Sequence, residues 1–308
     1  MISASEYALV TEGVGLLDRS ERGKLLLRGA EAAEFLQGQL TNDVEALEPG
    51  EGCYALLLTH KGKIRADARV LRGPDWLRLD TEAGGLATLA RTVKMYSIGR
   101  DVRFADETAD RALLSLLGPG AREALDVAPE DREHGWVEGE HGLYVATDLG
   151  VDVLCPSANA QRVREALGVP EVSETTAECL RIESGRPRHG RELTEDIIPQ
   201  EAGINDRAVS FEKGCYVGQE TVARLFYKGK PNRHLRGLRL SAPAEPGDPI
   251  DLDGKRVGEI GSACVSPALG PIALALVRRE AGPGAAVAVG EEGTPAEILG
   301  LPFALATA

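Results

Sequence analysis

The sequence predicts an α+β protein: two mixed α+β units followed by a small β-barrel domain. Three observations carry this. Strand-like runs and helical stretches alternate irregularly over residues 1–232, without the strict β-α-β order of a doubly wound sheet. Helical periodicity then disappears from about Arg233. Finally, Asp253-Gly254 between Ile250-Asp251-Leu252 and Val257-Gly258-Glu259-Ile260 is a strong hairpin signal. The predicted divisions are 1–110, 111–232 and 233–308.

In the first unit, Lys24 to Arg28 reads as a strand, Gly29-Ala30 as a turn, and Ala32 to about Leu40 as a helix. Cys53–Leu58 and Ile64–Leu71 read as two strands around the Lys61-Gly62 turn, and Trp76–Asp80 alternates as a half-buried strand does. Ala83–Met95 completes the unit as a helix. The second unit opens with the strand Ala112–Leu117, and Gly118-Pro119-Gly120 leads into a helix with Ala121 and Leu125. A strand over Leu143–Leu149 and a helix over Ala158–Leu167 follow. Thr175-Thr176-Ala177-Glu178 fits a capping box, and Gly185 before Pro187 stops the helix it starts. Lys228 to Asn232 reads as a linker into short strands at 235–240, 272–277, 285–289 and 296–299, the pattern of a small barrel or sandwich.

Composition narrows the function classes. A net charge of −13 opposes broad non-specific nucleic-acid binding. The five cysteines are odd in number and contain no C-x-x-C pair, which suits neither a disulfide framework nor a self-contained zinc site. The five histidines lack ligand spacing, so no metal site is assigned. No basic leader and no stretch of 18 apolar residues is present, so a cytoplasmic protein with reduced thiols is expected. Phosphate-loop spacing is absent, and Gly118-Pro119-Gly120 lacks the third glycine of a dinucleotide fingerprint.

Candidate chemistry concentrates in Lys213-Gly214-Cys215-Tyr216-Val217-Gly218-Gln219-Glu220. Two glycines among a thiol, a phenol, an amine, an amide and a carboxylate read as a loop or strand-to-helix junction. The simpler reading is an ordinary turn whose cysteine packs as a small hydrophobe. Lys213 and Arg224 are cations able to lower the thiol pKa of Cys215. Glu183 near the end of a helix opposes the macrodipole; it reads either as a surface partner of Arg181 or Arg186, or as an acceptor for paired donors. Over 221–239, Arg224, Lys228, Lys230, Arg233, Arg236 and Arg239 occur with no acid, a strip suited to folate carboxylates, to RNA phosphates, or simply to solvent.

The octapeptide also resembles the signature of the YgfZ family, folate-binding proteins related to the glycine cleavage T-protein (aminomethyltransferase). Phe35 to Val44, His60 to Val70, Leu180 to Pro187 and Ile198 to Gly203 resemble further blocks of that superfamily, in family order. The resemblance implies a T-protein-like folate-binding fold, with tetrahydrofolate or a derivative as cofactor. It implies Glu183, Arg181, Asn42, Arg224 and Tyr227 as ligand contacts and Cys215 as the functional thiol. Lys213, Gly214, Tyr216, Gly218, Gln219 and Glu220 would be the supporting motif. It further implies a role in iron–sulfur cluster assembly or repair, reaching tRNA modification through cluster enzymes. A single thiol cannot hold a cluster alone, so iron–sulfur proteins would be partners; neither DNA nor a membrane is expected, and RNA is not favoured. Aminomethyltransferases resemble the 60–70 block too, but carry a second glycine at Lys63 and an aspartate at Ala66, leaving Asp67 as the remaining catalytic candidate. Those departures, and the absence of Lys-Gly-Cys-Tyr from T-proteins, set aminomethyl transfer as the rival reading, with an RNA-binding accessory protein as another.

Overall fold

A computed structural model describes residues 2–303. Its elements run α1 (Ala4–Glu12), β1 (Gly15–Asp18), β2 (Gly23–Arg28), α2 (Ala32–Gln39), β3 (Gly52–Leu58), β4 (Ile64–Arg72), β5 (Trp76–Thr81), α3 (Ala83–Tyr96) and β6 (Arg103–Asp106). Then come β7 (Arg111–Leu117), β8 (Trp136–Gly139), β9 (Gly142–Thr147), β10 (Gly150–Pro156), α4 (Ala160–Leu167), α5 (Glu174–Glu183), α6 (Asn205–Ala208) and α7 (Gln219–Lys228). The last stretch is all strand: β11 (Arg233–Leu240), β12 (Pro249–Leu252), β13 (Lys255–Ser266), β14 (Gly270–Arg278), β15 (Ala286–Val289) and β16 (Thr294–Leu299). Residues 304–308, the end of the predicted third division, lie outside the described residues.

Two five-stranded sheets, ordered β3-β4-β5-β2-β6 and β1-β7-β10-β9-β8, stand beside a closed six-stranded barrel, β11-β14-β13-β12-β15-β16. The fold is therefore two α+β units plus a C-terminal barrel, as the sequence predicts. The units are not consecutive in the chain, however. β1, although it precedes every strand of the first sheet, pairs antiparallel with β7 in the second, Leu16 opposite Leu116. In return, Leu193, Ile197, Ile204, Tyr216 and Val222 pack on Leu56, Leu58 and Ile64 of the first unit.

Each first-sheet strand divides its side chains by the two-residue period of a pleated sheet. On β4, Ala66, Ala68 and Val70 enter the core with Leu25, Leu27, Phe35 and Leu79. Asp67 and Arg69 point the other way. At about 25 cal/mol per Å², that apolar face supplies the main drive to fold the unit.

Several elements depart from expectation. Gly118 to Leu125 forms a single 3₁₀ turn at Pro119–Ala121, not an α-helix; two glycines flanking a proline give too little helix propensity to propagate it. The run expected as one strand over 143–149 ends at Thr147 and is followed by β10, which pairs back on β9 through a turn. Thr221-Val222-Ala223, β-branched at two of its three positions, lies inside α7. The cap of α5 is Ser173, whose side chain accepts from the Thr176 amide, two residues before the predicted box. Among the described residues no helix is long and apolar enough to cross a membrane.

Candidate functional site

A cleft of about 150 Å³ opens between the two α+β sheets, lined by seven arginines (19, 22, 69, 181, 186, 188 and 207) and six carboxylates (67, 80, 82, 133, 148 and 152). It is assembled from the polar faces of strands whose other faces build the cores. Across adjacent strands of the first sheet, Tyr54 lies opposite Arg69, and Arg69 opposite Asp80. Arg69 binds Asp80 through Nε at 2.6 Å and reaches Asp152 of the second sheet through Nη1 at 2.6 Å. Ser115 donates to the other Asp152 oxygen at 2.6 Å. One guanidinium thus joins the two sheets.

Arg22 adds a second cation to Asp80, at 2.9 Å. Burial would raise the Asp80 pKa, but Arg69 and Arg22 outweigh it and hold the carboxyl below its ordinary value. Asp67 accepts from the Tyr54 hydroxyl at 2.8 Å and from Thr81 at 3.2 Å, one donor to each oxygen. Burial, and then the Asp67 charge, push the Tyr54 phenol well above its usual range, so it stays a donor. Arg207 sits 4.7 Å over the Tyr54 ring and forms a two-nitrogen pair with Glu133.

His134 completes this wall. It is 7% exposed, adopts φ 69°, and neither ring nitrogen has a hydrogen-bond partner among the described residues. Burial first, then the neighbouring Arg69 and Arg207, depress its pKa to about 3, so the imidazole is neutral near pH 7.

Of the site residues expected from sequence, the cleft gathers Asp67 and Arg181. Arg181 is anchored by Glu178 at 2.6 Å, Glu192 at 3.2 Å and Ser262 at 2.7 Å. Glu183 does not line the cleft. Its carboxylate accepts from Tyr7 at 2.9 and 3.1 Å, from Cys179 at 3.4 Å and from Ser266, tying α1, α5 and the barrel together. Asn42 also lies outside it: its amide donates to the carbonyls of Tyr54 and Arg207, and its oxygen accepts from the Asp43 amide. Arg224 and Tyr227 are exposed on α7. The basic strip is not one surface: Arg233 is paired with Glu201 at 3.1 Å, Arg236 donates to the Leu235 carbonyl, and Arg224, Lys228, Lys230 and Arg239 face solvent.

The octapeptide forms the loop and the start of α7, as its glycines suggest. The Lys213 amine is buried and donates to the carbonyls of Gln37, Leu40 and Asn42 at 2.6, 2.8 and 2.9 Å. It caps the C-terminal end of α2, where orphan carbonyls favour a cation. The expectation that Lys213 serves the Cys215 thiol is corrected accordingly, because the amine is committed to those three carbonyls. Burial lowers the Lys213 pKa to about 8. Gly218 has φ 89°, and a Cβ there would lie 2.6 Å from the Thr59 carbonyl oxygen and 3.2 Å from Gly62. Gly62 has φ 74°, and a Cβ there would lie 3.1 Å from the Thr221 Cβ. Tyr216 is buried with Val222 and Ile197, and Gln219 and Glu220 form the first turn of α7. Cys215 is the exposed cysteine of the five.

Sequence reasoning missed Arg22, Arg69, Asp80, His134, Asp152 and Arg207. The available signal was charge at alternate positions inside apolar strands, as in Ile64-Arg65-Ala66-Asp67-Ala68-Arg69-Val70 and Gly150-Val151-Asp152-Val153-Leu154.

Residues 1–138 match the GCVT N-terminal domain, and residues 233–304 match the glycine cleavage T-protein C-terminal barrel domain. An aminomethyltransferase of Rubrobacter xylanophilus is 32% identical, the alignment covering 97% of this chain and 85% of that one. An aminomethyltransferase of Corynebacterium aurimucosum is 30% identical over 97% of this chain and 89% of its own. A chloroplastic protein of Arabidopsis thaliana, named only provisionally as a transferase, is 30% identical over 81% of this chain and 62% of its own length. The crystal structure of the glycine cleavage system aminomethyltransferase T from Bartonella henselae superposes with a TM-score of 0.89 at 24% identity, covering 97% of this chain and 89% of that one. Sequence and architecture agree, and the chain belongs to the glycine cleavage T-protein (aminomethyltransferase) superfamily.

Proposed function

We propose that the protein is a cytoplasmic, YgfZ-like member of this superfamily that binds a tetrahydrofolate in the cleft between its α+β units. The observation that carries this is the Asp67 carboxylate, which faces the cleft with one donor on each oxygen and a lone pair to spare on each. A pterin offers two parallel N–H donors at its aminopyrimidine edge, the pattern a carboxylate accepts. Asp67 suits this role better than Glu183, whose oxygens are engaged by Tyr7, Ser266 and Cys179.

The cleft is smaller than the roughly 300–1,000 Å³ of pockets that enclose a whole drug-sized ligand. It suits the ring, with the anionic tail running outward past Arg19, which forms no ion pair among the described residues. Bound tetrahydrofolate would supply a nucleophilic nitrogen able to carry a one-carbon unit. The chain would hold the ring, keep Tyr54 protonated beside it and limit water.

The YgfZ-like assignment rests on the octapeptide and its exposed Cys215, and with it the role in iron–sulfur cluster assembly or repair that reaches tRNA modification. Aminomethyl transfer is the second reading, favoured by similarity to enzymes of that name over 97% of the chain. The Ala66 departure does not oppose it, because Ala66 faces the first core and a carboxylate there would not reach the cleft.

Thermal melts with tetrahydrofolate test the binding. A ligand at 100 times its Kd adds about 2.7 kcal/mol to the native state. Asp67→Asn is expected to lose most of that shift and Glu183→Gln to keep it. A wild type that tetrahydrofolate leaves unshifted would reject the folate site. Ammonia release from an aminomethyl-lipoyl carrier separates the two readings: robust turnover selects the aminomethyltransferase.

A further inference from the structure

Away from the cleft, α5 and the barrel strand β13 meet along one face that carries two cysteines. On β13, Ser262, Cys264 and Ser266 share a side by the two-residue period of a strand, opposite Leu274, Ile272 and Gly270 of β14. Ile272 and Leu274 pack on Ile182 of α5, and Cys264 lies against the same cluster. On α5, Cys179, Ile182 and Glu183 are spaced i, i+3 and i+4 and so form one stripe. Two polar contacts fix the alignment: Arg181 donates to Ser262 at 2.7 Å, and Ser266 donates to Glu183. Cys264 stands midway between those serines, and its thiol is in hydrogen-bond contact with that of Cys179.

The two thiols are free but unlike. Cys179 is buried and Cys264 half-buried, which leaves only Cys264 within reach of a small solute. Cys179 also donates to Glu183 Oε1 at 3.4 Å. Its contact with Cys264, then burial and the Glu183 charge, raise the Cys179 pKa, so in the reduced protein it stays a protonated thiol. A protonated thiol is a poor nucleophile, and the pair is therefore quiet until one member is activated. When Cys179 does react, a carboxylate already stands where its proton must go.

We propose that Cys179 and Cys264 are a peroxide-sensitive dithiol pair whose disulfide clamps the C-terminal barrel to α5. Hydrogen peroxide oxidises the Cys264 thiol to a sulfenic acid, and one water leaves. The Cys179 sulfur then attacks the Cys264 sulfur. The S–S bond forms as the S–O bond breaks, and Glu183 passes the Cys179 proton to the departing hydroxide as a second water. The two thiols supply the two electrons that the peroxide takes up, and a dithiol reductant reverses the change by exchange. The cross-link closes a long loop, the case in which a disulfide restrains the unfolded chain most. It also fixes to the barrel the helix that carries Arg181 into the cleft. The clamp stands or falls independently of what the cleft binds.

Peroxide treatment of the full chain carrying Cys215→Ser, which removes the exposed competing thiol, tests this. After alkylation and digestion without reductant, mass spectrometry is expected to show one cross-linked peptide pair, joining Cys179 to Cys264 and cleaved by dithiothreitol. The melting temperature should rise by about 5 °C or more with the cross-link and fall back on reduction. Cys264→Ala in the same background should lose both the cross-link and the rise. The proposal is overturned if both cysteines stay alkylatable, in denaturant, after a peroxide dose that oxidises Cys215 in the wild type. Cys264 advancing to a sulfinic acid without cross-linking, or Cys179 pairing with Cys53 or Cys155, overturns it as well. A cross-link that leaves the melting temperature unchanged refutes the clamp.

Discussion

The octapeptide and the cleft are opposites in how they hold their polar groups. In the octapeptide, eight adjacent residues look like a reactive site, yet most are structural. Lys213 closes the end of α2, Gly218 lets the turn after β3 approach α7, and Tyr216 fills a core. The Cys215 thiol, by contrast, is exposed and has no such duty. The cleft reverses this. Its residues are scattered from Arg19 to Arg207 and form no motif, yet they converge on one volume with arginines and carboxylates in nearly equal number. Density of unusual residues along a chain therefore marks a tight joint as readily as a reactive centre.

The largest expected effect tests the cleft. Arg69→Met leaves Asp80 with Arg22 alone and strips Asp152 of its cation, and breaking a buried pair costs about 3–5 kcal/mol. Urea unfolding would measure it; a loss below 1 kcal/mol would mean that the two sheets do not depend on this guanidinium. The octapeptide provides the next test. Gly218→Ala combines a left-handed φ with a Cβ 2.6 Å from a backbone oxygen, and is expected to cost about 2 kcal/mol or more. Gly214→Ala has nothing within 4 Å and should stay within about 0.5 kcal/mol. Equal losses at the two glycines would refute the joint as drawn.

A pH titration sharpens the contrast. The folded His134 pKa is lowered to about 3, against about 6.5 unfolded. Between these values the unfolded chain takes up a proton that the native protein refuses, so stability is lost as pH falls below 6.5, by about 1.4 kcal/mol per unit. At pH 5 that is about 2 kcal/mol, and His134→Phe should remove this part of the slope. The smallest effect belongs to the thiol. Cys215 should be alkylated by iodoacetamide before Cys53, Cys155, Cys179 or Cys264 on exposure alone, while Cys215→Ser shifts stability by less than about 0.5 kcal/mol. Earlier labelling of any other cysteine would contradict its burial.

The fold was legible where periodicity had one explanation. Strands such as Ile64–Arg72, the α3 helix and the Asp253-Gly254 hairpin follow from local pattern, and β12 and β13 do pair across that turn. α1 was missed because its nine residues have little amphipathic contrast; it is held from outside, Glu6 accepting from Ser173 and Thr176. The short β1 gains its identity only by pairing with β7. At the site, alternation misled. Polar positions on a half-buried strand ordinarily face water, but here Asp67, Arg69 and Asp80 face a second sheet whose Asp152 lies over 70 residues away in the chain. A sequence shows that a face is polar and not what stands opposite it.

The Lys213 cap has a consequence for biosynthesis. Its amine bonds to Gln37 across 176 residues, and Tyr216 and Val222 cover Leu56, Leu58 and Ile64. The first unit cannot be finished when its own strands leave the ribosome. At about 5–20 residues per second, the covering segment arrives roughly 10–35 s later. Through that interval an apolar patch and the end of α2 stand open to solvent. A fragment cut after β8 would remain permanently in that state.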